Sequence, residues 1–130
     1  MSRFVVLVTG GRHYWNKRLI HETLFALHKK TPITRLVHGD ATGADTVSKR
    51  WAHLAGVEEV AYPAEWERHG TPAGPIRNER MYLAEKPDLV VAFPGGRGTK
   101  NLTEIAYHYG GAVLPVPDDG YLDNQEHERR

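Results

Sequence analysis

Apolar residues along this chain fall into short β-branched runs that alternate with stretches of helical period, and a glycine- or proline-bearing turn separates each pair. Arg3 to Thr9 reads as a first strand. After the loop GGRHYWN, a helix from about Lys17 to Lys30 sets Ile20, Thr23, Leu24 and Leu27 on one face. Arg35 to His38 is a short second strand, followed by GDATGAD and a helix with Ala44, Val47, Trp51, Leu54 and Ala55 at helical spacing. Gly56 ends that helix. Val57 to Tyr62 is a third strand, and PAEWERHGTPAGP after it is too polar and too rich in proline and glycine to be regular. A helix then runs from Pro75, a residue suited to a first helical turn, to about Glu85. Asp88 to Phe93, nearly all apolar, is a fourth strand expected to be central and buried on both faces. After PGGRGT a helix presents Leu102, Ile105, Ala106 and Tyr109 along one side, and Ala112 to Val116 closes the series as a fifth strand.

Five strands alternating with four helices predict one α/β domain over residues 1–117, an open parallel sheet with helices on both faces, because parallel neighbours require right-handed crossovers. The expected strand order is 3-2-1-4-5. In that order the chain reverses direction between strands one and four, and ligands bind above the carboxyl ends at that point. TGGRHYWN and PGGRGT are the loops there.

Composition narrows the picture. The 130 residues suffice for a real core, and the absence of cysteine removes disulfide frameworks and thiolate metal sites together. A cytoplasmic location is expected. The apolar run Phe4 to Val8 is too short for a signal-peptide core or a membrane span, so no membrane association is expected. Residues 118–130, DDGYLDNQEHERR, carry five carboxylates and two arginines and are expected to form a polar, flexible tail. The body is left with fifteen Lys and Arg against eleven Asp and Glu. That balance suits a small anionic ligand better than a nucleic acid, which calls for a concentrated basic face.

The loops supply the candidate chemistry. Gly95, Gly96, Arg97, Gly98 and Thr99 bring backbone N–H groups, a guanidinium and a hydroxyl to a helix start, which is an anion site in form. The competing reading is a tight turn with Thr99 as the N-cap. Thr9, Gly10, Gly11 and Arg12 offer a second nest of donors. Gly39, Asp40, Gly43 and Asp45 bring glycines and carboxylates to another helix start, where one aspartate is expected to cap the helix or meet a ribose hydroxyl. Arg77 and Asn78 fall in the first turn of the third helix, facing the same edge. Trp15, Tyr62 and Trp66 lie near these loops and could stack a base. No GxGxxG or GxxxxGK[ST] occurs, so ordinary NAD binding and P-loop chemistry are set aside. The histidines form no pair at ligand spacing, and neither a metal nor a cofactor is expected.

VTGGR at Val8 to Arg12, HGDATGAD at His38 to Asp45, GPIRNERM at Gly74 to Met81 and PGGRGT at Pro94 to Thr99 together resemble the SLOG superfamily. This Rossmann-like group includes the LOG-type phosphoribohydrolases and the DNA-processing protein A family, and the chain is most similar to its YspA-like, cpYpsA-related branch. The resemblance implies a pocket for a nucleotide or nucleotide-derived ligand, used in sensing or sequestration, and self-association as a dimer or larger. LOG-type enzymes cleave the N-glycosidic bond of nucleoside monophosphates with PGGxGTxxE and an upstream arginine. Gly95, Gly96, Gly98 and Thr99 match that turn, and Arg77 matches the arginine. The glutamate does not carry over: Leu102 stands there, and Glu104 lies about 200° around the helix from it. A hydrolase, the alternative to a binding module, would need Asp40, Asp45 or Glu79 to supply the carboxylate that a cationic sugar requires.

Overall fold

The structure, a computed structural model, describes residues 2–120. Its elements are β1 (Val5–Thr9), α1 (Lys17–Lys30), β2 (Arg35–His38), α2 (Ala44–Ala55), β3 (Glu58–Ala61), α3 (Trp66–His69), α4 (Ala73–Glu85), β4 (Leu89–Ala92), α5 (Arg97–His108) and β5 (Val113–Pro115). The strands form one parallel sheet in the order β3-β2-β1-β4-β5, with Leu7 of β1 in register with Val37 on one side and Val90 on the other. This is the expected Rossmann-like α/β sheet. The central strand is β1, buried at all five positions, and the equally apolar β4 lies beside it. As expected from its apolar run, β4 is an interior strand buried on both faces.

Alternation along β1 feeds two cores. Val6 and Val8 join Ile20, Leu24 and Trp51 beneath α1 and α2, whereas Val5 and Leu7 join Met81, Leu102 and Ala106 beneath α4 and α5. The first two helices carry a local start or stop signal. Asn16 caps α1 by accepting from the Leu19 N–H at 3.1 Å, and Gly56, at φ 71°, ends α2 in the left-handed conformation glycine tolerates.

The stretch expected to be irregular holds more helix than its composition suggested. The one-turn α3 occupies Trp66–His69, and α4 begins at Ala73 rather than Pro75. Pro75 still falls in the first turn, where its missing N–H leaves no intrahelical bond unmade, so the proline permits an earlier start. Beyond β5, Asp118 accepts from the Tyr14 hydroxyl at 3.4 Å, and Asp119 accepts from Asn16 Nδ2 at 2.9 Å and pairs with Arg18. Burial, reinforced by the Asp118 charge, pushes the Tyr14 pKa up to about 12. The first residues of the expected tail thus lie across the start of α1; residues 121–130 fall outside the described residues. No helix among the described residues is long and apolar enough to cross a membrane.

Trp51 is wholly buried and makes edge contacts with Phe25 and His28. Trp51→Ala is expected to lower the unfolding free energy by roughly 3–5 kcal/mol, read from urea denaturation followed by circular dichroism.

Candidate functional site

Three loops meet at the carboxyl edge because one residue of the first, Gly11, bonds to both others. The Gly11 N–H donates to the Pro94 carbonyl at 2.8 Å, and the Gly11 carbonyl accepts from the Ala44 N–H at 3.1 Å. Thr42 Oγ1 adds a bond to the Arg12 carbonyl at 2.9 Å. Gly43 sits at φ 72°, and a Cβ on it would run into the Gly11 carbonyl. A Cβ on Gly95 would strike the Thr99 hydroxyl and the Gly11 nitrogen. Both glycines therefore pack loop against loop, behind the surface a ligand would touch.

The turn after β4 is shorter than its motif suggested. Gly96 is the N-cap of α5 and makes no side-chain capping bond, so Arg97, Gly98 and Thr99 form the first helical turn. Thr99 is not the cap. Its Oγ1 is buried and has no hydrogen-bond partner among the described residues, and it belongs to the first turn of α5, whose N–H groups have no intrahelical acceptor. Across from it, Asn78 is buried on α4 and donates through Nδ2 to the Gly98 carbonyl at 3.3 Å and to Asn101 Oδ1 at 2.9 Å. Arg77 Nε donates to Asn78 Oδ1 at 2.8 Å. Asn101 had no motif to betray it; it works as a brace between α4 and α5.

Arg77 lies more than a turn into α4 because the helix starts early, and it is half-buried. Its Nη1 donates to the carbonyls of Gly39 at 2.5 Å and Tyr62 at 3.0 Å. Burial lowers its pKa from the ordinary arginine value, with the nearby Asp45 opposing that shift and Arg12 and Arg80 adding to it. Arginine nevertheless keeps its charge in proteins. Nη2 makes no hydrogen bond among the described residues.

Asp45 caps nothing. It is the second residue of α2, and its Oδ2 accepts from the Gly39 and Ala41 N–H groups at 3.1 and 3.2 Å, stapling the loop that precedes its own helix. Burial raises its pKa to about 6, against the pull of His38, Arg77 and those two backbone bonds. Asp40 is exposed and takes a left-handed backbone at φ 58°.

A cavity of about 330 Å³ opens between these groups, walled by Arg12, Arg77 and Arg97, by Thr9, Thr99 and Asn78, by Gly10, Gly11, Gly96 and Gly98, and by Asp45. A second cavity of about 320 Å³ adjoins it, sharing Arg12, Ala41 and Arg77 and adding Gly39, Asp40 and Trp66. Of the polar, charged and glycine residues singled out in the four motif loops, these two hollows gather all but Gly43, Gly95 and Glu79; of the three aromatic residues expected near them, Trp66 lines the second hollow and Trp15 and Tyr62 line neither. Glu79 is exposed on α4, where it accepts from the Tyr109 hydroxyl at 3.0 Å. Ala41 lines both cavities and carries no chemistry that a sequence could flag. Among the described residues no three His, Asp or Glu side chains gather into a group that could hold a metal.

The model of the YspA, cpYpsA-related SLOG family matches residues 4–69, and Gene 61 protein of Mycobacterium phage D29 is 35% identical over 121 residues, 87% of this chain and 96% of that protein. The chain belongs to the YspA, cpYpsA-related SLOG family. The structure of phosphoribosylglycinamide formyltransferase (purN) of Coxiella burnetii in complex with CHES matches 88% of this SLOG chain at TM-score 0.51 and 18% identity. The chain spans 51% of that protein, and at this identity the likeness shows the Rossmann-like fold alone. SLOG membership supports a nucleotide-related role, whether in binding a ligand or in modifying one.

In this SLOG chain the position where LOG-type enzymes carry a glutamate belongs to the core. Leu102 is 1% exposed and packs with Leu7, Met81 and Ala106, while Glu104 is exposed on another face of α5. Leu102→Glu is therefore expected to destabilise the fold by about 3 kcal/mol or more, since it buries a carboxyl without partners; equilibrium urea unfolding at neutral pH measures this. Asp45 gives a prediction with a sign. A carboxyl pKa raised from about 3.8 to about 6 favours the protonated form in the folded state. That contribution is fully present below pH 3.8 and is lost as pH rises through about 6. In Asp45→Asn this component, about 3 kcal/mol in the parent chain, is expected to vanish from the difference between unfolding free energies measured at intervals from pH 3.5 to 7.

Proposed function

We propose that this chain binds a nucleotide or nucleotide-derived small ligand, containing phosphate and ribose, at the carboxyl edge of the sheet, as a sensor or sequestering module. The observation that carries this reading is the Thr99 hydroxyl, buried without a partner beside an uncapped helix start, in a cavity walled by three arginines. A buried hydroxyl left unpaired costs free energy that a phosphate oxygen would recover by accepting its proton. The α5 N-terminus favours the same anion, and Arg77 is held by two carbonyls in a geometry that leaves a nitrogen to donate. The expected self-association belongs to the same proposal; Ile76 and Leu83 on α4 and Tyr107 and Tyr109 at the end of α5 expose apolar surface that could serve it.

A second reading rests on Asp45. It is the one carboxylate lining the cavity that holds the anion site, and a pKa near 6 suits proton transfer at neutral pH. An N-glycosidase acting on nucleoside monophosphates would use that carboxyl and Arg77. The binding reading is favoured because Asp45 already accepts two backbone N–H groups, and because a core leucine replaces the glutamate of the enzymes this chain resembles.

Calorimetric titration with AMP and ADP-ribose separates the possibilities. Thr99→Ala and Arg97→Ala are each expected to weaken binding about tenfold, as loss of a hydrogen bond to a charged group does. Affinity unchanged in both variants would sink the cradle. Chromatography of the same mixtures should return the ligand intact; free adenine, abolished in Asp45→Asn, would establish the glycosidase instead.

A further inference from the structure

The two adjoining cavities differ in chemistry. The first gathers Arg97, the unpartnered Thr99 hydroxyl and the α5 N-terminus. The second is lined by Pro63, Ala64 and Trp66 together with Gly39, Asp40, Ala41 and Thr42. Arg12 and Arg77 stand on the boundary and line both. Arg97, the Thr99 hydroxyl and the α5 N-terminus make the first hollow the better place for an anion, and Pro63, Ala64 and Trp66 make the second suit a flat, less polar group covalently joined to it.

Trp66 is placed to receive such a group. It is 48% exposed, unusual for so large a ring, and its far edge rests on Gly74, where a Cβ would come within 3.3 Å of the ring. The Arg12 guanidinium lies over the ring, 5.8 Å from its centroid. Trp66 and Arg12 both line the second hollow. A guanidinium at that distance is at the outer limit of cation–π contact, and a planar base can share or take the face.

Asp40 is held with equal care. Its left-handed backbone is fixed by its N–H, which donates to His38 Nδ1 at 3.0 Å. That bond places the imidazole proton on Nε2, which donates to Glu59 at 2.5 Å. His38 is wholly buried, so the support is rigid. The Asp40 carboxylate itself accepts no hydrogen bond among the described residues. A residue strained into this conformation, with an unused acceptor, fits a ligand contact.

We propose that the second cavity is a nucleobase subsite: the base of a purine nucleoside phosphate stacks on Trp66, Asp40 accepts from its ribose hydroxyls or exocyclic amine, and Arg12 and Arg77 bridge to the phosphate. This rests on the phosphate reading of the first cavity and assigns Trp66 and Asp40 as the residues that set specificity for the rest of the ligand.

Calorimetry with AMP and ribose 5-phosphate on the same protein tests it. The parent chain is expected to bind AMP at least tenfold more tightly than ribose 5-phosphate, the scale of one base stacked on an aromatic ring. Trp66→Ala should erase that advantage and leave ribose 5-phosphate binding unchanged, while Trp66→Phe should restore most of it. Trp66 is exposed, so both variants should keep the parent urea midpoint. An AMP advantage that survives Trp66→Ala overturns the subsite, as does its absence from the parent chain or an equal loss for both probes. Thr99→Ala distinguishes the two levels: if it leaves both probes unaffected the phosphate reading fails, whereas a subsite failure leaves its effect intact.

Discussion

The site depends on the backbone N–H and carbonyl of Gly11. Its N–H reaches the loop after β4 and its carbonyl reaches the start of α2, so one residue joins the turns that follow three strands. Neither bond is possible unless the backbones approach closely, and Gly43 and Gly95 are the residues whose missing side chains allow the approach. The glycines that look in sequence like ligand contacts therefore divide into two kinds. Gly96 and Gly98 face the cavity, whereas Gly43 and Gly95 make the cavity's walls meet.

Electrostatics then set the character of that space. Arg12, Arg77 and Arg97 converge without a carboxylate to match each of them, and the one acid among them, Asp45, has its charge disfavoured by burial and is engaged with backbone. Such a concentration of like charge opposes folding by repulsion, and an anion bound there relieves it. Ligand binding and stability are linked in consequence, because whatever binds the folded state alone raises its apparent stability by mass action. The polar brace from Arg77 through Asn78 to Asn101 ties α4 to α5 beside the cavity.

Much of this was legible in the residues. Hydrophobic period placed α1 and β2 at their observed limits, and the strand order followed from crossover handedness and the alternation of elements. The four motif loops assembled at one edge, as their positions after strands imply. What stayed hidden was tertiary. Composition made Ala73–Gly74 part of a loop, although a helix can begin before a proline that still falls in its first turn. Asp45 looked like a cap because the local pattern is the same for a cap and a staple, and only the course of the loop decides between them. Glu79 was one of three acids that could have supplied a carboxylate, and only the packing of α4 against α5 shows it turned to the Tyr109 hydroxyl. Leu102 was visible as a missing acid, but its place between Leu7 and Met81 shows that packing has claimed the position.

The contacts of Asp118 and Asp119 bear on how this protein is handled. They grip Tyr14, Asn16 and Arg18, the very residues that lead from the Arg12 loop into α1. The chain's last described segment thus serves as the outer anchor of a loop whose inner anchor is the sheet. Anything spliced on after Pro117, whether an affinity tag, a fluorophore or another domain, bears on that anchor and through it on the position of a guanidinium in the pocket.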